Sequence, residues 1–145
     1  MSNNVAYNRY KENSVFTASA EELTLMLYNG LIKFIMQAQN AVDKKEISKA
    51  NEKIIRAQDI VLELINTLDM KYSVSKDFLA MYEYMNKRLI QANIKKDKEI
   101  LFEVLEFSKQ FRDTWVQAMK VAKSNKERTT SNMGVKSFNA VAVNE

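Results

Sequence analysis

Apolar residues return along this chain at the spacing of one face of a helix, in four separate blocks. The first runs Leu23, Leu27, Gly30, Phe34, Ala38, Ala41; the second Ile47, Ala50, Ile54, Ala57, Val61, Leu64, Leu68 in strict alternation of three and four; the third Phe78, Tyr82, Met85, Leu89, Ala92; the fourth Leu101, Val104, Ser108, Phe111, Trp115, Ala118, Ala122. Steps of this kind are the seam of a bundle helix. Ser19 and Glu22 stand as an S-x-x-E capping box before the first block, and Asp97 is placed to cap the fourth. The intervening segments, Asp43 to Glu46, Asp69 to Ser75 and Asn93 to Lys96, are too short to carry the chain back along a helix. Successive helices must therefore run antiparallel, and the pattern predicts an all-α, up-down-up-down four-helix bundle over residues 19–123. The ends lack a helical period and read as an N-terminal arm, 1–18, and a disordered tail, 124–145.

The blocks contain more apolar residues than seams require. Ten of the fourteen residues from Leu23 to Met36 are apolar or aromatic, where a bundle seam needs about three in seven. The surplus makes a second stripe, Leu25, Tyr28, Ile32, Ile35, echoed on the second helix by Ile55, Leu62 and Ile65. Such a face is a broad internal core, a homodimer surface, or a groove for an apolar helix of another protein. Tyr28 and Tyr82 suit the lining of a groove, since a phenol hydroxyl prefers a wet edge. Gly30, on the seam, reads as a point of close helix packing where a side chain would overpack.

Composition then removes chemistry. The 145 residues include no Cys, no His, no Pro and two Gly. Disulfides, thiolate and imidazole metal sites and histidine-based catalysis all fall away, and no metal or other cofactor is expected. No nucleophile stands beside a base and no Gly-rich phosphate loop occurs, so an enzyme is not expected. The net charge of +4 is spread evenly, whereas a nucleic-acid surface needs a one-sided stripe. Thr24, Asn29, Gly30 and Lys33 interrupt the densest apolar stretch, which argues against membrane insertion. The N-terminus has no apolar signal core, and the expected location is the cytoplasm.

Particular words in the sequence say more than its periods. Asn13-Ser14-Val15 with Thr17-Ala18-Ser19, and Glu22-Leu23-Thr24-Leu25-Met26-Leu27-Tyr28-Asn29-Gly30, resemble the opening of the FliS family, the flagellar export chaperones of flagellin. Asn51-Glu52 with Ala57-Gln58-Asp59-Ile60, Leu68-Asp69, Met81-Tyr82-Glu83-Tyr84-Met85 with Arg88-Leu89-Ile90 and Ala92-Asn93, and Phe111-Arg112-Asp113-Thr114-Trp115 with Gln117-Ala118 follow in order. The resemblance spans about residues 7 to 123; Ala20 departs from it, where the family often has Pro at the first helical position.

The resemblance implies an all-α bundle that binds the disordered C-terminal region of flagellin in the cytoplasm, keeps it unpolymerised and delivers it to the flagellar export gate. Arg88 and Asn93 match family positions, with three roles open: holding a loop, pairing with Asp113, or bonding to cargo backbone. Residues 1–18 become an arm in which Tyr7, Tyr10, Val15 and Phe16 lie over part of the cargo groove or complete the core, and Tyr10 also becomes a candidate for docking at the export gate. The alternative reading is a helical adaptor or regulator that dimerises through the surplus face and meets other flagellar regulators.

Overall fold

The computed structural model describes the backbone of residues 18–143 and the side chains of residues 18–128. Four helices occupy them: α1 (Ala20–Asp43), α2 (Ile47–Asn66), α3 (Val74–Lys95) and α4 (Lys98–Val143). The described residues hold no strand. Helix α1 packs along α2, and α2 along α3; the first compact unit closes at Arg112, within α4. The chain is an antiparallel four-helix bundle. Beyond Arg112 a second unit begins. There the helical backbone continues past Lys123, where the sequence period ends, to Val143. That stretch has no Pro and only Gly134 to interrupt it.

Four of the helix ends have a visible local cause. The Ser19 hydroxyl accepts a hydrogen bond from the Glu22 amide at 3.2 Å, and one Asp97 carboxylate oxygen accepts from the amides of Glu99 and Ile100 at 2.9 and 3.3 Å. These satisfy amides that a helix start leaves without partners. Two helices end in the same way. The Glu46 amide returns to the Ala41 carbonyl after α1, and the Asp97 amide to the Ala92 carbonyl after α3. In both cases the residue that turns the chain has positive φ, Lys45 at 58° and Lys96 at 51°. This is the geometry of a helix-ending motif that normally selects glycine, so each lysine holds a conformation that costs roughly 1 kcal/mol.

The core follows the predicted seams on α2 (Ala50, Ile54, Ala57, Val61, Leu64), on α3 (Tyr82, Met85, Leu89, Ala92) and on α4 (Leu101, Val104, Ser108, with Ile100 and Leu105 beside them). Ser108 is tolerated there because its hydroxyl donates to the Val104 carbonyl at 2.7 Å. On α1 the phase differs from the sequence expectation. Its buried face is Tyr28, Leu31, Ile32, Ile35, Ala38, Ala41, so Tyr28, Ile32 and Ile35 of the supposed surplus stripe are core. Leu23 is exposed, and Leu27 and Phe34 are only half-buried. A helix apolar on nearly every side can be phased in more than one way, and its partners make the choice.

An aromatic cluster makes it here. The Tyr28 ring stacks on Phe111 at 6.2 Å between centroids, Phe111 also meets Tyr82 at 5.6 Å and Phe78 at 6.0 Å, and the hydroxyls of Tyr28 and Tyr82 share a hydrogen bond. The expected wet edge is absent at both tyrosines, which are 2% and 3% exposed. Each hydroxyl is satisfied by the other inside the core. Burial raises the pKa of both above the ordinary phenol range, and the bond and proximity of Tyr82 push Tyr28 further.

Gly30 lies against α2: a Cβ there would stand 3.1 Å from the Ile60 Cδ1. The obstacle is a methyl at the end of a flexible side chain, which narrows the expectation that any side chain overpacks.

Three outcomes follow for stability. Lys45→Gly should stabilise the protein by about 0.5 to 1 kcal/mol in urea titrations, through relief of the positive φ. Gly30→Ala should shift stability by no more than about 0.5 kcal/mol, because a helix-propensity gain of up to ~1 kcal/mol offsets the squeeze on Ile60; Gly30→Leu should cost ~1 to 3 kcal/mol. A phenol whose folded pKa is raised contributes stability in full below its unfolded pKa of about 10 and loses it as pH climbs toward the folded value. Melting temperature should therefore fall more steeply above pH ~10 in the native chain than in the Tyr28→Phe/Tyr82→Phe variant, and parallel slopes would refute the assignment.

Candidate functional site

With the core face of α2 turned inward, steps of four and three residues put Asn51, Ile55, Gln58, Leu62 and Ile65 along one flank. Two hydrogen bonds identify the neighbour on that side. Asn93 Nδ2 donates to Asn51 Oδ1 at 2.8 Å, and Gln58 Nε2 donates to Asn86 Oδ1 at 3.5 Å. The same spacing on α3 sets Ile90 between Asn86 and Asn93. The α2–α3 flank is thus a shallow apolar track crossed by two amide pairs. Ile55, Leu62 and Ile90 are exposed on it, and Ile65 is half-buried.

A second flank lies between α1 and α4. Lys98 Nζ meets Asp43 Oδ1 at 2.8 Å and fixes which sides of the two helices face each other. On those sides α1 carries Leu25, Ile32 and Met36, and α4 carries Phe102 and Leu105. Ile32 and Leu105 are buried, Leu25 is half-buried, and Met36 and Phe102 are exposed.

The third flank, between α3 and α4, is polar. Arg88 donates from Nε to Glu103 Oε1 at 2.8 Å and from Nη1 to Gln91 Oε1 at 2.6 Å, and the Tyr84 hydroxyl donates to the same Glu103 oxygen at 3.0 Å. Tyr84 also sets its ring edge-on to Phe107, 6.1 Å between centroids. The Glu103 carboxylate raises the pKa of Arg88 and of Tyr84, since both donate to it in their protonated forms. Of the roles open to Arg88, the structure puts its guanidinium on Glu103 and Gln91.

The nine bundle residues singled out from the sequence therefore do not form one surface. Ile55, Leu62, Ile65 and Asn93 share the α2–α3 flank; Leu25 and Ile32 belong to the α1–α4 flank; Arg88 lies on the α3–α4 flank; Tyr28 and Tyr82 are in the core. Tyr7, Tyr10, Val15 and Phe16 fall outside the described residues. Sequence reasoning missed Ile90, Met36 and Phe102. Ile90 had a readable signal, an isoleucine one residue out of phase with a good seam.

What the α2–α3 flank can do is set by its length and chemistry. Ile55 and Leu62 are two turns apart, about 10 Å, and Ile90 faces the space beside them. Apolar anchors at that interval, with amides between, match the contact stripe of an amphipathic helix laid along the track. Nothing on it suggests a reaction. Among the described residues no group of three or more Asp or Glu is placed to hold a metal ion, and no helix is long and apolar enough to cross a membrane.

Comparison with known proteins identifies the family. The family described as Flagellar protein FliS matches residues 1–122. A protein named flagellar secretion chaperone FliS from Bacillus subtilis (strain 168) is 48% identical over 113 residues, covering 78% of this chain and 85% of that protein. The protein of the same name from Campylobacter jejuni is 31% identical, with 79% of this chain and 91% of its own length covered. The one from Escherichia coli (strain K12) is 24% identical, with 74% and 82% covered. A four-helix bundle with an unpartnered apolar flank, matched over most of its length, the chain belongs to the FliS family of flagellar secretion chaperones.

Proposed function

We propose that this protein binds the disordered C-terminal region of flagellin in the cytoplasm, keeps it from polymerising and hands it to the flagellar export gate. The observation that carries the reading is the α2–α3 flank, where Ile55, Leu62 and Ile90 are exposed on a helix pair that is otherwise well packed. A disordered segment that folds on this track as an amphipathic helix covers those three side chains and satisfies its own backbone internally. The amide pairs Asn51–Asn93 and Gln58–Asn86 offer hydrogen bonds at fixed intervals and oppose a sliding register. Leu25, Met36 and Phe102 extend the contact to the α1–α4 flank for a cargo long enough to reach it. Residues 1–18, by this reading, are an arm that competes for part of the cargo surface, with Tyr10 serving export-gate docking.

Each anchor is already about half buried, so withdrawing the rest from water contributes roughly 1 kcal/mol before the cost of ordering the ligand. Net affinity is then moderate, which suits cargo that must be released. No nucleotide or other cofactor enters the scheme.

The Ile55→Asp/Leu62→Asp variant should bind a flagellin C-terminal peptide at least about 100-fold more weakly by calorimetry, a loss of ~3 kcal/mol. Its far-UV circular dichroism should be unchanged, because both side chains are exposed. Native-like binding by this variant would remove the α2–α3 flank from the proposal. Size-exclusion chromatography separates the broader readings, since a 1:1 peptide complex supports the chaperone and a peptide-insensitive dimer supports an adaptor.

A further inference from the structure

Both short connections of the bundle, 44–46 and 96–97, lie at one end of it, joined by the Lys98–Asp43 ion pair. That end is basic by placement more than by number. Its acids are engaged: Asp43 with Lys98, Glu46 with Lys49 at 3.7 Å, and the Asp97 carboxylate with the amides that open α4. Glu99, and Glu52 beside Asn51, are the acids left over. Among the described residues Lys44, Lys45 and Lys95 make no ion pair, and Lys45 occupies a left-handed turn position where glycine would relieve strain.

Two isoleucines are exposed at the same end. Ile94, at 79%, is the most exposed large apolar side chain of the described residues, and Ile47 is 53% exposed. They lie next to one another along the chain directions, for Asn93 is bonded to Asn51, one turn from Ile47. Neither belongs to a seam in the structure: Ile47 stands one turn before Asn51 at the end of the α2–α3 flank, and Ile94 one turn beyond Ile90 and further round α3.

We propose that this end of the bundle docks peripherally on an anionic lipid bilayer. Exposed apolar side chains at the same bundle end as unpaired lysines are the chemistry of interfacial membrane binding, with the isoleucines entering the headgroup boundary and the ammonium groups meeting lipid phosphates. The pairing of exposed isoleucines with unpaired lysines favours this occupant over an acidic protein segment, which would need no apolar anchor. The contact is adsorption to a surface and asks for no spanning helix. It goes beyond the cargo reading, since it draws on the lysines of the two loops and needs no flagellin, and the vesicle test reads it without cargo; Ile47 and Ile94 adjoin the track formed by Ile55, Leu62 and Ile90.

The test is co-sedimentation of the full chain with vesicles of equal parts phosphatidylglycerol and phosphatidylcholine, against phosphatidylcholine alone, at low and high salt. The native chain should sediment with the anionic vesicles only, and less at high salt. Lys44→Glu/Lys45→Asn/Lys95→Glu and, separately, Ile94→Asn should each lower the partition coefficient at least about fivefold. Both variants leave Lys120, Lys123 and Lys126 in place, so the loss would locate to this end and not to the C-terminal segment. Absence of sedimentation with anionic vesicles, or a smaller fall in either variant with an unchanged helical spectrum, overturns the proposal. So does retention on immobilised polyglutamate with none on vesicles, which would assign the lysines to an acidic protein.

Discussion

The contact on which the bundle's surfaces depend is the meeting of Tyr28 with Tyr82 under Phe111. It joins α1, α3 and α4 at one point, two of them by a hydroxyl pair and all three by stacked rings. A buried phenol with no partner would cost a few kcal/mol, and two phenols facing each other cancel that cost in an otherwise apolar interior. The geometry also fixes rotation. Helix α1 is apolar on most sides, so hydrophobicity alone leaves it free to turn, and only one rotation brings the Tyr28 hydroxyl to Tyr82.

That rotation decides what the outside of the protein offers. Turning Tyr28, Ile32 and Ile35 inward leaves Leu25 and Met36 toward α4 and brings Gly30 against Ile60 of α2. The surplus apolar surface visible in the α1 sequence is thus largely consumed by the core. What remains for a partner is richer on α2 and α3, where regular seams use up one face and leave Ile55, Leu62 and Ile90 outside. A regular seam is informative for this reason: any apolar residue out of phase with it needs another explanation.

The legibility of the sequence followed the same division. Helices α2 and α3 have narrow seams, and their buried residues could be read by counting threes and fours. Ser19 and Asp97 could be read as caps because their chemistry acts within one turn. The α1 phase could not, since the deciding contacts with Tyr82 and Phe111 are far away in the chain. The split of the candidate site into three flanks was hidden for the same reason: which flank Leu25 or Arg88 occupies depends on the neighbour, Asp43 to Lys98 in one case and Arg88 to Glu103 in the other. Lys45 and Lys96 were also opaque, because nothing in a lysine announces positive φ.

The poverty in breakers ties these points together. With no Pro and two Gly, the chain forms long uninterrupted helices, and its turns must be made by residues that do not favour them, lysines at both αL positions. Continuous helices give straight flanks, so apolar residues seven apart line up into a track that a partner helix can follow. The same economy concentrates charge at the loop end and leaves the α2–α3 flank to isoleucine, leucine and amides. A surface for apolar cargo and a basic end then adjoin one another, since Ile94 stands one turn from Ile90 and Ile47 one turn from Asn51.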